Sequence, residues 1–193
     1  SAPIPIEVDK TLFPNKIWLW KITWHGPEGY ATIYENDRLS LVKTSDGLHY
    51  DLVTRLRCDS MPNETALLFG PNDELYLLVR REIGGATGVW GESRPPYTEW
   101  EWNDLGIRLG GPNLCALPDG SILIGSREVQ KEPHCGLYGL DGSKRAELLL
   151  RLPSGGDCSY PGFVVRGNTL WISYYSSHEG HAAIYLATVR LDR

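Results

Sequence analysis

The feature that most constrains this chain is a fourfold internal repeat. Four consecutive segments, residues 16–60, 62–107, 112–152 and 157–193, follow one plan of short apolar runs separated by turn signals. The first reads KIWLWKITW, YATIYE, RLSLVKTSDG and HYDLVTRL, and the second reads ETALLFG, LYLLVRRE, TGVWGES and EWEWNDLG. Each unit is about 45 residues long, which is a repeat length typical of β-propeller blades.

The runs within each repeat predict β-strands and not helices. No window sustains an apolar period of 3.6 residues, and the 21 Gly and 13 Pro residues interrupt nearly every stretch. A propeller blade is a four-stranded antiparallel sheet. The sequence therefore predicts an all-β propeller of about four blades, the fourth lacking its outermost strand, as a closed small ring or as part of a larger propeller.

Residues 1–10, which include the extended run SAPIPIEV, predict an outer edge strand. Two placements stay open at this point. The strand completes the fourth blade and closes the ring, or it belongs to a blade whose other strands lie outside this chain. Residues 1–193 are accordingly interpreted as a single propeller domain or as a propeller fragment.

Composition excludes several classes of function. The formal net charge is −5 and no Lys/Arg cluster could follow a phosphate backbone, so we expect no nucleic-acid partner. No apolar run approaches a membrane span, and the N-terminus does not resemble a signal peptide. A secreted or periplasmic location is favoured over a cytoplasmic one.

The cysteines and histidines predict no metal centre or cofactor site. The four cysteines lack CxxC spacing, and we expect free thiols that pack as small hydrophobic groups. They are Cys58, Cys115, Cys135 and Cys158. We therefore predict neither a metal nor any other cofactor.

Polar, ionisable and aromatic residues recur at equivalent strand ends of the repeats. In a propeller blade, the start of the first strand and the end of the second lie on the same face. The residues at these positions are Trp18 with Glu35, Glu64 with Arg81, Asn113 with Arg127, and Tyr160 with Ser177 beside Glu179. Two guanidinium groups at such a face suit a carboxylate ligand. The alternative is that each arginine pairs with a carboxylate at a blade junction.

The turn TSDGLHY resembles the Asp-box of sialidases and other BNR-repeat propellers. Thr44, Asp46, Gly47 and Tyr50 fit the motif, which spans the hairpin between the third and fourth strands of a blade. Its role in that family is structural, because the hydroxyl and carboxylate satisfy backbone groups of the turn and the aromatic ring packs below it.

Three further stretches resemble the catalytic, C-terminal half of the sialidase family. They are PNETALLF…ELYLLVRRE, GGPNLCALPDGSILIGSR and GGDCSYPGFVVRGNTLWISYY. The resemblance implies a sialidase-like glycoside hydrolase in which Tyr160 is the nucleophile and Glu64 its base. Arg81 or Arg80, together with Arg127, would hold the carboxylate of an acidic sugar.

The chain departs from the family in three ways. No counterpart of the acid/base Asp or of the first arginine is visible, and Pro161 stands where the family has Ser. A six-bladed sialidase at this repeat length needs roughly 350 residues. These departures fit the catalytic half of a longer enzyme or a short divergent member.

Other functions stay open on the sequence alone. One alternative is a non-catalytic propeller that binds a carbohydrate or a protein through the same face. Another is a glycosidase that uses Glu64 with Glu35 or Glu179 as a carboxylate pair. Trp90 is a candidate sugar platform. An open ring would expose an apolar blade face, which predicts a homodimer or a missing propeller half.

Overall fold

The structure is a computed structural model that describes residues 3–191. It confirms the predicted fold class, because sixteen strands form four separate sheets arranged as the blades of a β-propeller, and all strands except the short first one pair antiparallel. The only helical turn among the described residues is a 3₁₀-helix at Ile83–Gly85. That part of the chain has no helix with the length and apolar character needed to cross a bilayer.

The strands follow the repeats in chain order. The first sheet contains β1 (Glu7–Val8), β2 (Trp18–His25), β3 (Glu28–Glu35), β4 (Arg38–Thr44) and β5 (His49–Leu56). The second contains β6 (Pro62–Phe69), β7 (Leu75–Arg81), β8 (Val89–Ser93) and β9 (Glu101–Asp104). The third contains β10 (Asn113–Ala116), β11 (Ile122–Glu128), β12 (His134–Leu140) and β13 (Ala146–Arg151). The fourth contains β14 (Cys158–Arg166), β15 (Thr169–Ser176) and β16 (Ala183–Arg190).

The first strand of each repeat lies at the centre of the molecule. Strand β6 contacts β2 on one side and β10 on the other, and β10 in turn contacts β14. Within every sheet the consecutive strands pair antiparallel, so the start of each central strand and the end of the next strand share one face. This arrangement gathers the beginnings of β2, β6, β10 and β14 at one end of the propeller.

Apolar clusters fill the spaces between neighbouring sheets. One cluster joins the first sheet to the second, for example through Leu41 and Leu77. A second joins the second sheet to the third and includes Trp90, which is 0% exposed. A third joins the third sheet to the fourth and includes Leu137 and Ile172. The core therefore consists of successive layers between blades.

The N-terminal strand occupies neither of the two positions that the sequence left open. Strand β1 pairs in parallel with β5, at the outer edge of the first sheet. The segment that follows β1 explains this position, since Phe13 packs with Ile33, Val42 and Tyr50 on the face of the first sheet that points away from the second. The expectation that β1 completes the fourth blade is wrong. The fourth sheet has three strands among the described residues.

The hairpin between β4 and β5 is held by the side chains of the TSDG turn. Thr44 Oγ1 accepts the backbone N–H groups of Asp46 and Gly47 at 3.2 and 2.9 Å. Asp46 Oδ1 accepts those of Leu48 and His49 at 2.8 and 2.9 Å. These hydrogen bonds pair the backbone N–H groups of the turn and so stabilise the reversal of the chain.

The four cysteines are free thiols, as expected. Cys135 and Cys158 are buried in the layer between the third and fourth sheets. Burial raises the pKa of Cys135 to about 12, which keeps this thiol protonated and unreactive at neutral pH.

Candidate active site at the central strand ends

The centre of the candidate site is a contact between Tyr160 on β14 and Glu64 on β6. The Tyr160 hydroxyl donates a short hydrogen bond to Glu64 Oε1. Arg80 Nη1 donates to the other carboxylate oxygen, Oε2, at 2.8 Å. Arg80 also pairs with Glu82, whose Oε2 lies 2.7 Å from Arg80 Nη2. One carboxylate is thus held between a phenol and a guanidinium group.

Irregular strand geometry turns Tyr160 out of the sheet. The pairing of β14 with β15 shifts register between Ser159 and Gly162, and Tyr160 has a positive φ of 50°. The Ser159 hydroxyl, which is buried, donates to the backbone oxygen of Gly110. Tyr160 itself is 43% exposed. A bulge of this kind commonly re-aims a side chain at a functional site.

A second irregularity in strand pairing lies at Glu64. The pairing of β6 with β7 shifts register between Pro62 and Thr65, directly at this residue. The Glu64 side chain is 12% exposed and the Arg80 side chain 18% exposed. A carboxylate this far from water requires charge-assisted hydrogen bonds, and Arg80 and Tyr160 supply them.

The electrostatics keep Tyr160 as a neutral phenol. Burial raises the pKa of Tyr160 well above the ordinary value, and the hydrogen bond to Glu64 and its negative charge raise it further. The charge of Arg80 opposes this shift without cancelling it. Burial also disfavours the charge on Arg80, but the bonds and charges of Glu64 and Glu82 outweigh it and raise the Arg80 pKa. Tyr160 is therefore a neutral phenol and Arg80 a charged guanidinium, and both donate to Glu64.

Aromatic rings line the site on the side of the first and fourth sheets. Trp20 lies against Tyr160 with a centroid distance of 6.2 Å, and Tyr34 lies 6.3 Å from Trp20. Trp18 stacks on Tyr34 at 6.4 Å and is 53% exposed. Tyr175 stacks on the other side of Tyr160 at 6.0 Å. Exposed aromatic faces of this kind can pack against the apolar face of a sugar ring.

Lys21 approaches the same centre, and the sequence did not single it out. Its Nζ donates to the backbone oxygen of Pro112 at 3.1 Å, which connects the first sheet to the third. Burial lowers the pKa of Lys21, and the charge of Glu64 acts in the opposite direction. The pattern WLWKITW could not reveal this contact, because a register shift between Trp20 and Ile22 in β2 changes the facing of Lys21.

Arg81, which the sequence paired with Glu64, points elsewhere. Its Nη1 pairs with Asp59 at 2.7 Å and its Nη2 with Asp104 at 3.1 Å. Consecutive residues of a strand face opposite sides of a sheet. Arg80 therefore faces Glu64, and Arg81 is used in ion pairs at the edge of the second sheet.

Arg127 and Asn113 lie near the site in different roles. Arg127 Nη1 pairs with Asp157 at 2.8 Å, and Asp157 also accepts the hydroxyl of Tyr175 at 2.6 Å. Asn113 Nδ2 donates to the backbone oxygen of Pro161 at 2.7 Å. Asn113 thus anchors the strand beside Tyr160, whereas Arg127 keeps guanidinium donors available for a ligand.

Three other candidates are not brought to Tyr160. Glu35 is 2% exposed, and its Oε1 accepts the backbone N–H of Asn15 at 2.9 Å. Glu179 accepts the hydroxyl of Tyr185 in the hairpin between β15 and β16. Trp90 is fully buried, so its interpretation as a sugar platform is wrong. Within residues 3–191, no group of three or more His, Cys, Asp or Glu is arranged to hold a metal ion.

Comparison with solved structures shows the fold. The chain resembles a protein of unknown function from Dyadobacter fermentans, with a TM-score of 0.76, 17% identity and coverage of 89% of this chain and 52% of that one. It also resembles Bacteroides ovatus xyloglucan PUL GH43B, with a TM-score of 0.64, 14% identity and coverage of 89% and 38%. The GH43 protein BlXynB from Bacillus licheniformis is similar with a TM-score of 0.63 and 13% identity, and the match covers 91% of this chain and 39% of that one.

These relatives are considerably longer than the chain, which spans about half of the first and less of the other two. At such identities the likeness establishes a shared propeller fold. No family model and no curated protein matches the sequence. The resemblance to sialidases is one of sequence motifs alone, and the matched structures do not support that family specifically.

Proposed function

We propose that the chain is a glycoside hydrolase, or the catalytic half of one, that acts on an acidic sugar in the manner of a sialidase. The observation that carries this proposal is the hydrogen bond from Tyr160 to Glu64 across two blades. A structural tyrosine would be expected to lie in the layers between blades, whereas Tyr160 is turned towards solvent. The glycoside hydrolases among the structural relatives support a carbohydrate as substrate.

The residues fit a double displacement. Tyr160 Oη attacks the anomeric carbon while Glu64 takes the phenolic proton, and the bond from that carbon to the leaving oxygen breaks. The leaving oxygen departs as an anion and takes a proton from solvent. Water then attacks the same carbon, the bond to Tyr160 Oη breaks, and one proton of the water passes to solvent, which leaves the free sugar. Glu64 returns its proton to the Tyr160 oxygen. A neutral phenol approaches a sugar that carries a carboxylate with less repulsion than an aspartate would.

The guanidinium groups have two tasks in this proposal. Arg80 orients Glu64 through the 2.8 Å bond to its carboxylate. Arg80 and Arg127 contact the carboxylate of the sugar with the N–H groups that their ion pairs leave free. Trp18 and Tyr34 provide an aromatic surface for the ring.

The test is turnover of methylumbelliferyl glycosides, whose leaving group needs no protonation. We expect the wild type to hydrolyse a sialoside or a glucuronide faster than a neutral galactoside. Tyr160→Phe and Glu64→Gln should each lower kcat/KM by about 10²-fold or more, because a nucleophile or its base is lost. Tyr185→Phe, which removes an exposed phenol bonded to Glu179, should leave turnover unchanged.

Trapping of the covalent intermediate on Tyr160 gives a second test of the same proposal. Mass spectrometry of protein quenched during turnover should find one glycosyl unit on the peptide that contains Tyr160. Undiminished turnover by Tyr160→Phe would contradict the proposal. Sugar binding without turnover of any glycoside would instead identify a carbohydrate-binding propeller, an alternative that the exposed Trp18 ring also suits.

A further inference from the structure

A cavity rich in arginine lies beside the Tyr160–Glu64 pair. Its volume is about 300 Å³, and four guanidinium side chains line it, those of Arg80, Arg81, Arg108 and Arg127. Leu109, Val129 and Pro133 form apolar parts of its wall. We call this cavity the arginine pocket. Its size is at the lower end of the range for small-molecule sites.

Three of the four arginines that line the pocket form ion pairs with carboxylates. Arg80 is neutralised by Glu64 and Glu82, and Arg81 by Asp59 and Asp104. Arg127 pairs with Asp157. These five carboxylates more than balance the charges of the three arginines, and Glu82 itself lines the cavity.

Arg108 is the one arginine of the set that forms no ion pair among the described residues. No hydrogen bond or ion pair engages its side chain within residues 3–191, and the residue is exposed. All five guanidinium N–H groups of Arg108 are thus available, and Arg127 uses one of its own for Asp157. These free N–H groups, and not an excess of positive charge, are what the arginine pocket offers to an anion.

The position of the pocket decides which part of a ligand it could bind. Arg80 lines the pocket and also bonds Glu64, so the pocket adjoins the candidate active site. Neither Tyr160 nor Glu64 lines it. A group held there would lie beside the reacting carbon and not over it.

We propose that Arg108, in the part of the arginine pocket that Arg80 and Arg127 do not use for the carboxylate of the attacked sugar, binds an oxyanionic substituent, a carboxylate or a sulfate ester, on the next unit. This inference rests on the proposed function and adds a specificity-determining residue, Arg108, to it. A planar guanidinium binds either oxyanion through two parallel N–H···O bonds. The apolar wall excludes water from one side of the contact, which strengthens it.

The experiment is calorimetric titration with three probes: glucuronate, a glucose sulfate and glucose. We expect the wild type to bind one or both anionic probes more tightly than glucose. Arg108→Ala should weaken anion binding about tenfold, since a charge-assisted hydrogen-bond pair is lost. The preference between the carboxylate and the sulfate identifies the natural substituent.

Two further variants make the result specific. Arg166→Ala removes another exposed arginine, at the end of β14, and should bind the anions as the wild type does. Arg108→Lys keeps the charge but not the planar fork, and should restore only part of the affinity. Equal affinities for wild type and Arg108→Ala, or equal losses in Arg108→Ala and Arg166→Ala, would overturn the proposal.

The two proposals fail in different ways. Tyr160→Phe should retain the anion affinity of the arginine pocket, because Tyr160 does not line it. If hydrolysis is not detected but anion binding still depends on Arg108, the pocket stands and the hydrolase is rejected. If hydrolysis depends on Tyr160 but the anions bind without regard to Arg108, the reverse holds.

Discussion

At the scale of single residues, the site is defined by the ionisation state of Tyr160. A phenol that shares a hydrogen bond with a carboxylate is harder to ionise, because the resulting phenolate would face a second negative charge. Tyr160 therefore cannot act as a preformed phenolate at neutral pH. In the proposed reaction Glu64 takes the proton of Tyr160 while the new bond forms, so the proposal assigns the two residues to one step.

This arrangement predicts the alkaline titration of Tyr160. The pKa of Tyr160 is raised above the ordinary value of 10.0, so its phenol stays protonated where an exposed tyrosine would ionise. Wild type and Tyr160→Phe should consequently show the same tyrosinate absorbance up to pH 10, with a difference only at higher pH. The measurement is an ultraviolet pH titration of the folded proteins. A variant that lacks one ionising tyrosine already below pH 10 would show that Tyr160 is preactivated.

The sequence could predict only part of this constellation. The sequence predicts Tyr160 and Glu64 because they lie in stretches that resemble sialidase segments, and the structure brings these two side chains into contact. Arg80 was ranked behind Arg81, since a register shift at Glu64 decides which of two adjacent arginines faces the carboxylate. Trp20 and Lys21 were missed for the same reason, as β2 is also irregular at that point. A period-2 pattern assumes regular pairing, and functional sites are where pairing departs from it.

At the scale of the element, the hairpin between β4 and β5 shows how a short motif specifies a turn. Asp46 accepts two backbone N–H groups and the His49 side chain. The hydrogen bonds from His49 and Leu48 hold the pKa of Asp46 well below its ordinary value. Because the carboxylate form is the one bonded in the folded state, this contribution is present near neutral pH and is lost as pH falls through the lowered pKa.

The same hairpin predicts a stability difference between two glycines. Gly47 has a positive φ of 77°, whereas Gly142, in the turn between β12 and β13, has an ordinary φ and open space around the position that a Cβ would take. Gly47→Ala should lower the free energy of unfolding by about 1 kcal/mol, because alanine is strained in the left-handed region. Gly142→Ala should cost less or be neutral. Urea unfolding of both variants checks this, and equal losses would contradict the role assigned to the turn.

The N-terminal strand illustrates what local pattern cannot decide. The run SAPIPIEV correctly indicates an extended edge segment, but a two-residue ladder could form at the outer edge of more than one sheet. The choice is made by tertiary packing, since Phe13 is 3% exposed and covers the first sheet. Burial of one aromatic side chain outweighs two ladder positions.

At the scale of the whole molecule, the described residues form an open arrangement of blades. Apolar clusters join the first sheet to the second, the second to the third and the third to the fourth. In residues 3–191 no such cluster joins the fourth sheet to the first. The contacts between these two sheets include the ring pair of Trp20 and Tyr160. The repeat predicted the number of blades, but ring closure depends on curvature that a sequence period does not encode.

The outer face of the fourth sheet yields the last prediction. Ile184 and Leu186 are 79% and 66% exposed, while Ile172 on the opposite face is 0% exposed. The same substitution should therefore have opposite consequences on the two faces. Ile184→Thr should change the free energy of unfolding by no more than about 0.5 kcal/mol. Ile172→Thr should cost about 2 kcal/mol or more, because it removes buried apolar contacts and buries a hydroxyl.

Urea unfolding measures both values, and fluorescence of a hydrophobic dye measures the exposed face directly. The double variant Ile184→Thr, Leu186→Thr should bind less dye than the wild type. If Ile184→Thr instead destabilises the chain as much as Ile172→Thr, the outer face is covered in solution. Sedimentation at increasing protein concentration would then separate coverage by a second copy, which depends on concentration, from coverage within one chain, which does not.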